Sequence, residues 1–245
     1  MKTDSLHRLE HEIHVWLCAP DSINDPVRLS GYASLLSDEE RERLQRFHFE
    51  RDRHAFLVSH ALVRKVLSRY ASIEPADWRF STGEQGRPEI VRSADMPLLR
   101  FNLTHTQGLA ACVVTRDIAC GIDAERVTTR GNPLAVAEKM FAASELEDLR
   151  GQGEAGFLDR FYVDWTLHEA YCKALGVGLT RSDDRYAFVA MPNGQYRLET
   201  DDATQTRAND LCFEVSRPTA DHVVSVAFQS VGCAGQSIVS EFIVP

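Results

Sequence analysis

Apolar and polar positions along this chain recur with two periods. Phe56, Leu57, Ala61, Leu62, Val66 and Leu67 are spaced for one face of a helix and predict it over about 51–70. Ser37-Asp38-Glu39-Glu40 ahead of it reads as a capping box that opens a shorter helix near 38–47. The same order returns later. Ser144-Glu145-Leu146-Glu147 reads as a second capping box, opening a helix near 145–150, and a long helix follows at about 158–175.

Strand-like runs accompany each pair of helices. Ile13–Leu17 opens the first half, and 78–81, 99–104 and 109–115 follow its long helix. In the second half the strand-like runs are 187–190, 195–199, 211–215 and 223–228. The polar stretches 151–156 and 200–210 read as loops. Two copies of a helix packed on a small, mostly antiparallel sheet predict an α+β fold, with a seam near 116–121. The expected division is an N-terminal lobe over 1–118 and a C-terminal lobe over 119–245.

Composition narrows the setting. The chain has 245 residues, 44% hydrophobic and 26% charged, enough for a sizeable core. No run approaches the roughly 20 apolar residues of a membrane span, and the N-terminal residues lack the apolar core of a signal peptide. The expectation is a cytoplasmic protein with no membrane partner. Its cysteines, at 18, 112, 120, 172, 212 and 233, show no C-x-x-C pair and read as free thiols, mostly buried. The net charge of −9 argues against nucleic acid as a partner. Even so, arginines concentrate between 41 and 69. That region fits either a phosphate-rich small molecule, which guanidinium groups grip bidentately, or a solvated helix face of Glu–Arg pairs.

Candidate chemistry centres on two stretches. Trp165-Thr166-Leu167-His168-Glu169-Ala170-Tyr171-Cys172-Lys173-Ala174 reads as helix, and Trp165, Glu169 and Lys173, four apart, share one face. Gly121-Ile122-Asp123-Ala124-Glu125 reads as strand, with Asp123 and Glu125 leaving the same side. Taken alone, Glu169 and Lys173 also fit a surface ion pair worth about 0.3–0.5 kcal/mol, and Asp123 and Glu125 also fit a solvated edge. Taken together, oxygen donors from Asp123, Glu125 and Glu169 suit a hard cation, Mg²⁺ in particular where a phosphate completes its shell.

These stretches, with Phe101-Asn102-Leu103-Thr104-His105 and Gly86-Arg87-Pro88, resemble in type and order the motifs of the phosphopantetheinyl transferases. The length resembles the long, two-lobed class that activates carrier proteins of peptide and polyketide synthetases. The resemblance implies a pseudo-duplicated pair of lobes with the active site between them. It also implies Mg²⁺-dependent transfer of the 4'-phosphopantetheine group of coenzyme A to a serine of an apo acyl or peptidyl carrier protein, in fatty acid or secondary metabolite biosynthesis. On this reading Asp123, Glu125 and Glu169 hold the metal, and Asp123, Glu169 and Lys173 are catalytic, with Glu169 the candidate base. Lys173 and His168 also face coenzyme A phosphates, and Arg43, Arg53, Arg87, Thr104 and His105 hold its nucleotide end. The protein is expected to act as a monomer. One departure stands out: His168 occupies the position before the motif glutamate that the family usually fills with Lys. It leaves open an alternative, a catalytically impaired member that binds coenzyme A or a carrier protein without turnover. The absence of a G-x-x-x-x-G-K-[ST] loop argues against a nucleotide hydrolase.

Overall fold

The structure, a computed structural model, describes residues 2–83, 86–179, 186–200, 211–229 and 236–245. In chain order its elements are α1 Lys2–Arg8, β1 Glu12–Cys18, α2 Pro26–Leu35, α3 Asp38–Gln45, α4 Glu50–Leu67, β2 Phe80–Thr82, β3 Pro88–Ile90, β4 Leu99–Thr106, β5 Leu109–Arg116 and β6 Cys120–Arg126. Then come α5 Pro133–Met140, α6 Ala143–Gly151, α7 Gly153–Leu175, β7 Tyr186–Ala190, β8 Tyr196–Thr200, β9 Leu211–Thr219, β10 His222–Gln229 and β11 Ser237–Phe242. The mixture of helices and small sheets is the expected α+β class.

The chain divides into two compact units, 1–120 with 236–245, and 121–235. In the first, a sheet of order β11-β1-β5-β4 is antiparallel except at one edge, where β11 runs parallel to β1. The segment 236–245 therefore joins the first unit, where the sequence suggested a second lobe running to 245. Helix α4 packs on β1, β4 and β5. Its Phe56, Leu62 and Leu67 share a core with Trp16, Trp78 and Phe101. Each such fully buried side chain stabilises the fold by about 1.5–3 kcal/mol. The capping box at Ser37 is present: its hydroxyl accepts from Glu40 N at 3.2 Å, and the Glu40 carboxylate accepts from Ser37 N at 2.8 Å.

In the second unit the sheet order is β6-β10-β9, and β7 pairs with β8 as an antiparallel ribbon. Helix α7 packs on β10, where the hydroxyls of Thr166 and Ser225 meet at 2.7 Å. Gly176 ends α7 in the left-handed conformation at φ 70°, and the following Val177 N–H donates to Cys172 O at 3.0 Å.

Several expectations needed correction. The second capping box is shifted: Ala142 precedes α6, and the Glu145 carboxylate, not that of Glu147, accepts from Ala142 N at 2.9 Å. Residues 153–156, expected as loop, form the first turn of α7, where Glu154 suits the helix N-terminus. Cys18, Cys112 and Cys120 are buried free thiols and Cys172 is buried, but Cys212 is disulfide-bonded; scattered spacing carries no signal for a pairing set by the fold. Apart from Thr200, the expected loop 200–210 lies outside the described residues, as do Cys233 and Glu84 and Gln85 of the turn before Arg87. No helix among the described residues is long and apolar enough to cross a membrane.

Candidate active site

Beyond its first two turns, helix α7 is buried almost all round. From Phe161 to Ala174 every residue is buried except Trp165, Glu169 and Lys173. Those three lie four apart, so the one uncovered stripe of the helix is the stripe that carries its candidate chemistry. Strand β6 supplies the facing group. Lys173 Nζ lies 2.5 Å from Asp123 Oδ1 and donates to Ile122 O at 3.2 Å. Asp123 is itself buried, 5% exposed, so this charge pair is held away from bulk water.

Glu169 is half-buried. Burial pushes its carboxyl above the ordinary range; the Lys173 charge opposes this and the Asp123 charge adds to it. The two carboxylates are therefore close enough to repel. Glu125 is partly buried on the same strand, and its charge acts on the Tyr162 hydroxyl of α7, which burial raises first. Among the described residues no three His, Cys, Asp or Glu side chains stand ready-arranged around a metal position. The donor chemistry does fit a hard cation: oxygen ligands only, with an Asp123–Glu169 repulsion that a cation would relieve.

His168 departs from the sequence reading. It is 1% exposed, and its Nε2 lies 2.9 Å and 3.1 Å from the two carboxylate oxygens of Glu145. Its Nδ1 lies 3.2 Å from the Tyr186 hydroxyl, and Phe141 stacks on the ring at 4.9 Å. Both ring nitrogens are occupied inside the unit, so His168 is not placed to hold a coenzyme A phosphate. The helix angle from Glu169, about 100°, turns it into the core.

The first unit carries a cavity of about 910 Å³. Arg43 and His105 both line it, beside Gly86 and Pro88 of the G-R-P turn. The Arg43 guanidinium sits 5.4 Å over the Phe56 ring. Other expected groups fall elsewhere. Arg53 bonds to Glu50 at 2.7 Å and to Phe47 O at 2.9 Å, outside the cavity lining. Arg87 Nη2 donates to Phe101 O and Cys120 O, at 3.2 and 3.1 Å, and lines a smaller pocket of about 280 Å³. Thr104 is buried on β4 beside His105, which is exposed.

Sequence reading missed the cavity's buried wall. Arg64, 1% exposed, donates to Glu40 at 2.5 Å and to Trp78 O at 2.8 Å, while His60 Nδ1 meets the other Glu40 oxygen at 2.7 Å. Burial works against the Glu40 charge, but His60, Ser37 N–H and Arg64 outweigh it and hold the carboxyl at about 2. Arg79 also lines the cavity and donates to backbone carbonyls, Ala76 O at 2.9 Å and Trp78 O at 3.3 Å. A signal was present: Phe56, His60 and Arg64 are four apart, on the apolar face of α4.

The chain is similar in sequence to known proteins. Residues 119–227 match the profile described as the 4'-phosphopantetheinyl transferase superfamily, and 25–116 match that of the 4'-phosphopantetheinyl transferase N-terminal region. The 4'-phosphopantetheinyl transferase Sfp of Bacillus subtilis is 33% identical over 172 residues, 70% of this chain and 74% of that one. The 4'-phosphopantetheinyl transferase HetI of a Nostoc species is 32% identical over 184 residues, 75% and 76% of the two chains. The L-aminoadipate-semialdehyde dehydrogenase-phosphopantetheinyl transferase of Pongo abelii is 28% identical over 209 residues, 79% of this chain and 67% of that one. With both profiles falling in order along the sequence and relatives above 30% identity covering most of each chain, this protein belongs to the 4'-phosphopantetheinyl transferase family.

Proposed function

We propose that the protein transfers the 4'-phosphopantetheine group of coenzyme A to a serine of an apo acyl or peptidyl carrier protein, with Mg²⁺, acting as a cytoplasmic monomer. The observation that carries this reading is the uncovered α7 stripe of Trp165, Glu169 and Lys173, with Lys173 Nζ 2.5 Å from Asp123 Oδ1.

The serine oxygen attacks the β-phosphorus of coenzyme A, a new P–O bond forms, and the bond to the α-phosphate oxygen breaks, releasing 3',5'-adenosine bisphosphate. Reactions of this kind depend mainly on positioning and charge neutralisation. Asp123, Glu125 and Glu169 would hold Mg²⁺, which when bound neutralises pyrophosphate charge. Lys173 places a point charge beside the same phosphates. Glu169 is the candidate to accept the serine proton, directly or through a water held by the metal. Arg43 and His105 line the cavity proposed to take the nucleotide end, with Arg79 as a further cation there.

Intact-mass spectrometry of several apo carriers, incubated with this protein, coenzyme A and Mg²⁺, tests the reading. The expected result is a gain of one phosphopantetheine on at least one carrier, lost when Mg²⁺ is chelated. No gain on any carrier, with coenzyme A still bound, would support the impaired-binder alternative.

A further inference from the structure

We infer that His168 and Glu145 form a positioning pair that sets the rotation of α7 about its axis, and so the aim of Glu169 and Lys173. The inference rests on the proposed transferase reading of that stripe.

Glu145 is 2% exposed and ties three elements together. One oxygen accepts from Phe188 N of β7 at 2.8 Å, and the other from Ala142 N at the start of α6 at 2.9 Å. Both oxygens also meet His168 Nε2. The far side of the ring is closed by the Tyr186 hydroxyl on β7, Phe141 stacks on one face, and Phe188 meets the ring in an edge contact. The imidazole is therefore held by Glu145 of α6, by Tyr186 and Phe188 of β7, and by Phe141 at the end of α5.

This arrangement is a costly way to hold a helix. Apolar residues of the same volume would pack α7 with no penalty for burying a carboxylate and an imidazole. Hydrogen bonds supply direction, which apolar contacts do not. Direction matters here because His168 immediately precedes Glu169. A turn of about 20° in α7 would swing a carboxylate about 6 Å from the axis through about 2 Å. Magnesium tolerates little departure from octahedral geometry at about 2.0–2.1 Å, so such a swing would undo its site. Lys173, one turn further along, would swing with it.

The test uses the full-length protein and its His168→Ala, His168→Gln and Tyr186→Phe variants. Mg²⁺ binding to the protein–coenzyme A complex is followed by calorimetry, and kcat, the KM for coenzyme A and the unfolding temperature are measured alongside. Outer-shell partners of metal ligands typically contribute about 10–100-fold in affinity or rate. His168→Ala is therefore expected to weaken Mg²⁺ binding and lower kcat by about 10-fold or more, with the KM for coenzyme A within about twofold of wild type. His168→Gln keeps an N–H for Glu145 and is expected to recover part of both. A lower unfolding temperature with unchanged Mg²⁺ affinity and kcat would overturn the inference. So would a raised KM for coenzyme A alone, which would place His168 on the ligand. If His168→Ala does not fold, Tyr186→Phe decides: weakened Mg²⁺ binding supports the pair, and wild-type binding overturns it. A wild-type protein that transfers nothing would overturn the transferase reading instead.

Discussion

A methyl group on Gly121 would stand 2.1 Å from the carbonyl oxygen of Ala170 and 2.5 Å from the amide nitrogen of Ala174. Both atoms belong to the α7 backbone, so no side-chain rotation relieves the clash. The glycine that opens the Gly-Ile-Asp-x-Glu stretch is what lets β6 lie against the helix, two residues from Asp123. Gly121→Ala is expected to lower stability by about 1–3 kcal/mol, the usual range for overpacking. It should also reduce transfer at temperatures where the variant stays folded. Urea unfolding and transfer rates measured together check this; a wild-type unfolding midpoint would show that the strand can withdraw at no cost.

Asp123→Asn keeps the shape of the side chain and removes the charge that meets Lys173. Transfer is expected to fall by about 100-fold or more, the scale set by removing one electrostatic stabiliser from an active site. Stability is expected to fall as well, because the Lys173 ammonium loses its buried carboxylate partner, and the lost repulsion with Glu169 offsets only part of that. Wild-type turnover in this variant would mean that the charge pair lies off the reaction path.

Glu40 gives the first unit an acid sensitivity with a defined window. Its folded carboxyl titrates at about 2, against 4.5 for the unperturbed group. A group depressed on folding contributes stability above its unfolded value and loses it as the pH falls towards the folded one. The contribution, on the order of 3 kcal/mol, should therefore be intact at pH 6 and shrink between pH 4.5 and pH 2. Subtracting the unfolding free energy of Glu40→Gln from that of wild type across this range isolates it. A difference that stays flat with pH would mean that the Glu40 charge is not coupled to folding.

The arginines expected at the nucleotide end should separate by function. Arg43→Ala and His105→Ala each remove a cavity-lining group. Each should narrow the preference for coenzyme A over its 3'-dephospho form by about 1.5–3 kcal/mol, the worth of a charge-assisted bond. Arg53→Ala breaks the contacts with Glu50 and Phe47 O, outside the cavity lining, and should leave that preference unchanged. Competition binding with the two ligands resolves the three variants, and a large effect at Arg53 would redraw the site.

Period and spacing made the fold class legible, and with it the shared face of Trp165, Glu169 and Lys173, which lie four apart whatever surrounds them. Depth was not legible. A helix buried on nearly every side has no polar face to orient it, so nothing in the pattern distinguished an outward His168 from an inward one. The cavity wall was hidden for a related reason. Glu40 reads locally as a helix cap, and only the tertiary fold brings Arg64, 24 residues on, to the capping oxygen and His60 to the other. β11 escaped notice because its partner, β1, lies at the far end of the sequence, and pairing across such a distance leaves no local trace.

That edge pairing also sets a timetable. β1 precedes, and β11 follows, every other described strand, with 121–235 in the interval. A chain emerging from the ribosome must therefore make the whole second unit before the first can close its sheet. Until then the edge of β1 stays open, with its buried Ile13, Val15 and Leu17 bordering unpaired backbone, the kind of edge on which nascent chains aggregate. The last ten residues, which bear none of the proposed catalytic groups, thus govern how cleanly the protein can be made.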